Sequence, residues 1–202
     1  MQRFFDRPDT RWRQPGGCLH LYALPAPGAA ILDEFAEAAS ALEALPGLGA
    51  QPTQYMHVTV QRLDAFVHEL EDDRWGRAWR SLEEVLAAHR PFELDFAPPR
   101  PGTHAVEAVA QATDPWDRLG SAVRGALAAT DLGHVLAPPP HAPHYTLAYC
   151  VAETGDAEVR AALAGTRATS FLVDRLSLVV VEQDRDAGVF RFETLSEWGL
   201  GR

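Results

Sequence analysis

The sequence predicts a mixed α+β fold, and three features of the 202-residue chain point to it. Short β-branched or alternating runs are interleaved with longer segments of helical periodicity. At least two pairs of the short runs are joined by tight turns, which a purely parallel sheet does not use. With 47% hydrophobic and 23% charged residues, the composition is that of a globular chain whose core is large enough to need no disulfide staples.

The elements follow in order. After Pro15-Gly16-Gly17, the run Cys18 to Pro25 reads as a strand closed by proline, with His20 and Tyr22 on one face. From Ala29 to Leu45, Ile31, Phe35, Ala38, Ala39 and Leu42 recur at helical spacing until Pro46-Gly47 stops the helix. A strand is expected from Tyr55 to Leu63. A second helix spans Asp72 to His89 with the stripe Trp75, Trp79, Leu82 and Leu86, which reads as packing. Phe92 to Phe96 alternates, Pro98 to Gly102 turns the chain, and Thr103 to Ala112 is the expected partner strand. Helix three starts near Pro115, a good first-turn proline, and runs to about Asp131. The loop Leu132 to Pro143 leads into another strand, and a short helix follows near Asp156 to Ala164. A hairpin ends the chain: Phe171 to Val181, a polar turn at Asp184 to Gly188, and Val189 to Leu195.

Charge and composition exclude several classes. A net charge of −10 argues against a protein that coats long double-stranded nucleic acid through its phosphates. A small phosphorylated ligand remains compatible, because a cleft can be locally positive on an acidic body. All 18 basic residues are Arg, which reflects codon bias as readily as phosphate affinity. The apolar runs are too short for a membrane span, and the start lacks the apolar segment of a secretory signal, so a cytoplasmic protein is expected. Cys18 and Cys150 lack metal-type spacing and are expected to be buried and reduced. Residues 1–14 carry four Arg and are expected to form a flexible N-terminal arm.

One pattern occurs twice. Tyr55-Met56-His57-Val58-Thr59-Val60 is echoed by Pro143-His144-Tyr145-Thr146-Leu147, each reading His, apolar, Thr, apolar. In an extended chain His57 and Thr59 share one face while Val58 and Val60 take the other, and the second copy behaves alike. Two imidazoles, each with a hydroxyl beside it, suit phosphoester chemistry: one base, one acid, and donors for phosphoryl oxygens. A metal site built on His134, His141 and His144 is the rival within that stretch. Pro138 to Pro140 and Pro143 interrupt it, and no carboxylate stands at a ligand spacing. His141 reads instead as a loop residue near the cleft rim.

With its two His-x-Thr strands, its opening strand ending Tyr22-Ala23-Leu24-Pro25, and its closing Val173 to Leu178 strand before a hairpin, the chain resembles the 2H phosphoesterases. That superfamily holds the 2′-5′ RNA ligase-like proteins and cyclic nucleotide phosphodiesterases. The resemblance spans about Pro15 to Trp198. It implies one bilobal domain over residues 15–202, pseudo-two-fold symmetric, with two antiparallel sheets facing across a central cleft and helices outside. It also implies chemistry that needs no metal or cofactor, on the 2′,3′-cyclic phosphate of a nucleotide or RNA end or on a 2′-5′ linkage; a monomer is expected. His57 and His144 match the family's catalytic histidines, and Thr59 and Thr146 its phosphate-holding residues. Tyr22 and Tyr149 match cleft aromatics, although alternation from His144 would turn Tyr149 away unless the strand carries a bulge. His20 is placed in the cleft by its spacing from Tyr22. The rival from another class is a binder that grips a nucleotide or RNA end without turning it over.

Overall fold

A computed structural model describes residues 1–14, 16–70, 73–140 and 142–201. Its strands and helices run β1 (Gly16–Ala23), α1 (Ala30–Glu43), β2 (Leu48–Ala50), β3 (Val58–Phe66), α2 (Asp73–Ala87), β4 (Phe92–Phe96), β5 (Arg100–Pro101), β6 (Ala105–Val109), α3 (Asp114–Ala128), β7 (His144–Cys150), α4 (Asp156–Ala162), β8 (Thr169–Val173), β9 (Arg175–Asp184) and β10 (Val189–Gly199). The start expected for the second helix, Asp72, lies outside the described residues.

The strands form two four-stranded sheets, β10-β9-β1-β3 and β2-β7-β6-β5, and a two-stranded ribbon β4-β8. Every pairing is antiparallel. Each four-stranded sheet thus carries one His-x-Thr strand. The helices bury the stripes that their periodicity implied: Ile31, Phe35, Ala38, Ala39 and Leu42 on α1, and Leu119, Val123 and Leu127 on α3. Thr113 caps α3, its hydroxyl accepting from the Trp116 N–H at 3.5 Å, with Pro115 in the first turn. On α2, Trp75 is buried and meets Trp79 edge-on at 5.4 Å, which in turn meets Trp198. That pair is packing.

Three expectations change. Phe92 to Phe96 does not take 103–112 as its ladder partner; β4 pairs with β8, and its contact with the other segment is reduced to a Phe96↔Ala110 bridge and an Ala97 N–H to Val109 carbonyl bond. Prolines at 98, 99 and 101 remove the N–H donors that a hairpin ladder would use. The β-branched run from Phe171 to Val181 is two strands in different sheets, because Asp174 breaks it and binds Arg175 bidentately at 2.9 and 3.1 Å.

The third change concerns the first fourteen residues, which are packed across both sheets rather than free. The Met1 amino group donates to the Thr154 carbonyl at 2.8 Å, and the Gln2 N–H to the Thr103 carbonyl at 2.7 Å. Toward the other sheet, Gln183 donates to the Thr10 carbonyl at 3.0 Å, and Arg13 reaches Asp64 and Glu69. Phe5 is buried against Tyr149 and Phe190. Three aromatic side chains (Phe4, Phe5 and Trp12) supply the burial that Arg content alone concealed.

A buried glutamine also ties the sheets together. The Gln51 backbone N–H donates to Leu147 on β7 at 2.8 Å, while its side chain accepts from the Phe190 N–H at 3.1 Å and donates to the Phe190 carbonyl on β10. Nearby, Gly49 on β2 lies against the β9–β10 turn so closely that a Cβ would overlap the carbonyls of Ala187 and Gly188.

Candidate active site

Both motif strands place their apolar residues in the core: Val58, Val60, Tyr145 and Leu147 are all buried. The opposite faces line one cavity of about 340 Å³. It brings together all seven residues singled out from the sequence: His20, Tyr22, His57, Thr59, His144, Thr146 and Tyr149.

The two histidines are held alike. His57 Nδ1 stands 2.8 Å from the Tyr55 carbonyl, and His144 Nδ1 stands 2.8 Å from the Ala142 carbonyl, in each case two residues back. A carbonyl only accepts, so Nδ1 carries the hydrogen in both rings, and Nε2 is the nitrogen that gains or loses a proton. The Tyr22 ring stacks on His57 with centroids 3.8 Å apart and planes 12° apart, which fixes the ring plane as well as the tautomer. Burial lowers the His57 pKa to about 4, helped by repulsion from His144 and opposed by the bond to Tyr55.

Register explains why Tyr149 reaches the cavity. On β1 and β3, Tyr22 faces Thr59 but Leu21 faces Gln61, so Val60 is skipped. On β6 and β7, Glu107 faces Thr146 but Val106 faces Ala148, so Leu147 is skipped. The irregularity sits one residue after the Thr in each motif, and it returns the residue three past each Thr to the cavity side. Those residues are Arg62 and Tyr149, and both line the cavity. Burial raises the Tyr149 hydroxyl well above its ordinary value, against a hydrogen bond with Thr146, so it stays protonated.

His20 is buried beside Tyr22, its Nδ1 2.8 Å from the phenol oxygen, while its Nε2 has no hydrogen-bond partner among the described residues. Burial, with Arg62 and His57 nearby, holds it well below the usual histidine pKa and keeps it neutral. Sequence reasoning missed Arg62, Glu107, Phe190 and the arm residues Phe4, Arg7 and Trp12, which complete the cavity wall. Arg62 had a readable signal: it follows His57 by five residues, as Tyr149 follows His144. Pro138 to Pro140 form the rim, pinned by Arg124 and Gln61, which both donate to the Ala137 carbonyl, at 2.8 and 2.9 Å.

Among the described residues, no three His, Cys, Asp or Glu side chains stand together as a metal site. His141, one of the histidines weighed as a ligand, lies outside those residues. Cys18 and Cys150 are buried free thiols, and burial pushes the Cys18 thiol up to about 12. No helix among the described residues is long and apolar enough to cross a membrane.

Comparison with solved structures finds the same fold in a Thermus thermophilus protein, TT0787, at 17% identity and a TM-score of 0.69, covering 91% of this chain and 98% of that one. Escherichia coli LigT in its NADP+ complex is similar at 16% identity and a TM-score of 0.65, covering 93% of this chain and 99% of that one. A comparison with curated protein sequences gives no match. The family model described as the 2′-5′ RNA ligase superfamily matches residues 36–185, a span that contains both His-x-Thr strands. The chain therefore belongs to the 2′-5′ RNA ligase superfamily, a group of 2H phosphoesterases.

Proposed function

We propose that the protein is a metal-independent phosphodiesterase that opens 2′,3′-cyclic phosphates of nucleotides or RNA ends. The observation that carries this reading is the matched tethering of two imidazoles on one cavity, each with Nδ1 tied to the carbonyl two residues back. E. coli LigT, of the same fold, has been solved in complex with 3′-AMP, which favours a nucleotide as the ligand here.

Proton transfer by a positioned side chain requires the base to be neutral and the acid to be protonated at the working pH. His57, kept neutral by its burial, is assigned as the base. Its Nε2 takes a proton from the water that attacks phosphorus; the bond from phosphorus to one ribose oxygen breaks, and protonated His144 gives its Nε2 proton to that oxygen. The product is a nucleoside monophosphate. Thr59 and Thr146 donate to the nonbridging oxygens as their charge grows. Arg62, on the same cavity wall, offsets the negative charge of the bound phosphate.

The test is turnover of a 2′,3′-cyclic nucleotide followed by phosphorus NMR, with and without EDTA. Conversion to a monophosphate at the same rate under chelation is expected. Loss of activity with EDTA, or tight binding with no product, would contradict the proposal.

A further inference from the structure

The N-terminal segment crosses from one four-stranded sheet to the other and walls one end of the cavity. Phe4, Arg7, Asp9, Thr10 and Trp12 all line it. The segment precedes the first strand and lies outside the span matched by the family model. Phe4 and Phe5 meet edge-on at 5.2 Å, and the segment's rings also reach residues of both sheets. Phe4 packs on Tyr149 at 4.4 Å, and Trp12 rests against Phe190 at 6.0 Å and against the edge of His20 at 5.8 Å. Trp12 is only half-buried.

Ring contacts run without a break from Trp12 through His20 and Tyr22 to the stacked His57. One continuous wall therefore leads from the aromatic end of the cavity to the end bearing the two imidazoles. Asp9 and Gln183 also line the cavity, the Asp9 carboxylate bound by Arg7 and the Gln183 amide donating to the Thr10 carbonyl. A cavity of about 340 Å³ suits one small ligand. A wall lined by aromatic rings together with polar side chains selects a heteroaromatic ring over an alkyl chain.

We propose that the N-terminal segment forms a nucleobase subsite, with Trp12 as its stacking platform, so that the substrate's base is read by residues that precede the first strand. This inference rests on the proposed nucleotide substrate and adds the element that selects it.

The test compares affinity for adenosine 2′-monophosphate with affinity for inorganic phosphate by titration calorimetry on the full chain. Trp12→Leu keeps apolar bulk under the segment and removes the ring; Trp12→Phe keeps a ring. Trp12→Leu is expected to weaken nucleotide binding about fivefold or more while phosphate affinity stays within about twofold, and Trp12→Phe to recover most of the loss. Equal weakening of both ligands, no change in nucleotide affinity, or no nucleotide binding by the unsubstituted protein would overturn the inference. Selective nucleotide binding without turnover of the cyclic phosphate would sink only the hydrolase reading. Turnover with unaltered nucleotide affinity in Trp12→Leu would sink only the subsite.

Discussion

Replacing Gln51 with alanine is expected to weaken the fold and misplace a proposed catalytic base at once. The side chain is 1% exposed and satisfies both polar groups of the Phe190 peptide on the opposite sheet. Its Nε2 also donates to the Tyr55 carbonyl at 3.2 Å, the same oxygen that accepts from His57 Nδ1 at 2.8 Å. Alanine would strand a buried N–H and a buried carbonyl, at about 1–3 kcal/mol each, for a total of about 2–6 kcal/mol. At a urea slope of about 2–3 kcal/mol/M, that lowers the unfolding midpoint by roughly 0.7–3 M. Because the Tyr55 carbonyl loses one of its two donors, His57 loses part of its anchor, and kcat should fall by about tenfold or more. Gln51→Glu keeps the acceptor for the Phe190 N–H, discards the two donors and buries a charge, so it should be at least as damaging. Urea unfolding and steady-state kinetics on both variants read the two effects separately. Stability within about 0.5 kcal/mol of the unsubstituted protein would refute the view that this amide holds the sheets together.

Three further outcomes follow from the cavity. Stability should be complete above pH 6.5 and fall as the pH drops toward about 4, because the folded state holds His57 and His20 below their ordinary pKa while the unfolded chain takes up protons; unfolding free energy that does not change across that window would contradict the burial of both rings. The acid limb of kcat/KM should lie near pH 4, the value for His57 in the unliganded protein, and a limb near 6.5 would argue against His57 as the base. Thr59→Val and Thr146→Val keep the shape of the side chain and remove a hydroxyl each. Either should cost about 10²-fold in kcat if the hydroxyls stabilise the transition state, and a change in KM alone would assign them to ground-state binding.

Much of this arrangement was legible in the sequence because alternation is a strict rule over short spans. His57 and Thr59, or His144 and Thr146, need only one pleat to share a face, and nothing between them disturbs it. Legibility ended where the pleat slips. Val60 and Leu147 are skipped in their ladders, so strict alternation turns Arg62 away from the cavity, where only its five-residue spacing from His57 pointed to it, and Tyr149 reached the cavity by the bulge that its placement required. Pairing partners were harder still. Phe92 to Phe96 finds β8 across more than seventy residues of sequence, a choice made by sheet packing and by the intervening prolines rather than by anything local to the strand. The N-terminal segment was misjudged for a related reason: its order comes from Phe5 and Trp12 meeting Phe190, residues from the opposite end of the chain.

The proposed joint action of two imidazoles on one phosphorus is tested most directly by a double-mutant cycle in single-turnover hydrolysis of a 2′,3′-cyclic nucleotide. His57→Ala and His144→Ala should each lose about 10²-fold or more, and the double variant should fall little further than the worse single one, because base and acid serve the same step. Losses that multiply, or a single variant that keeps nearly full rate, would contradict it.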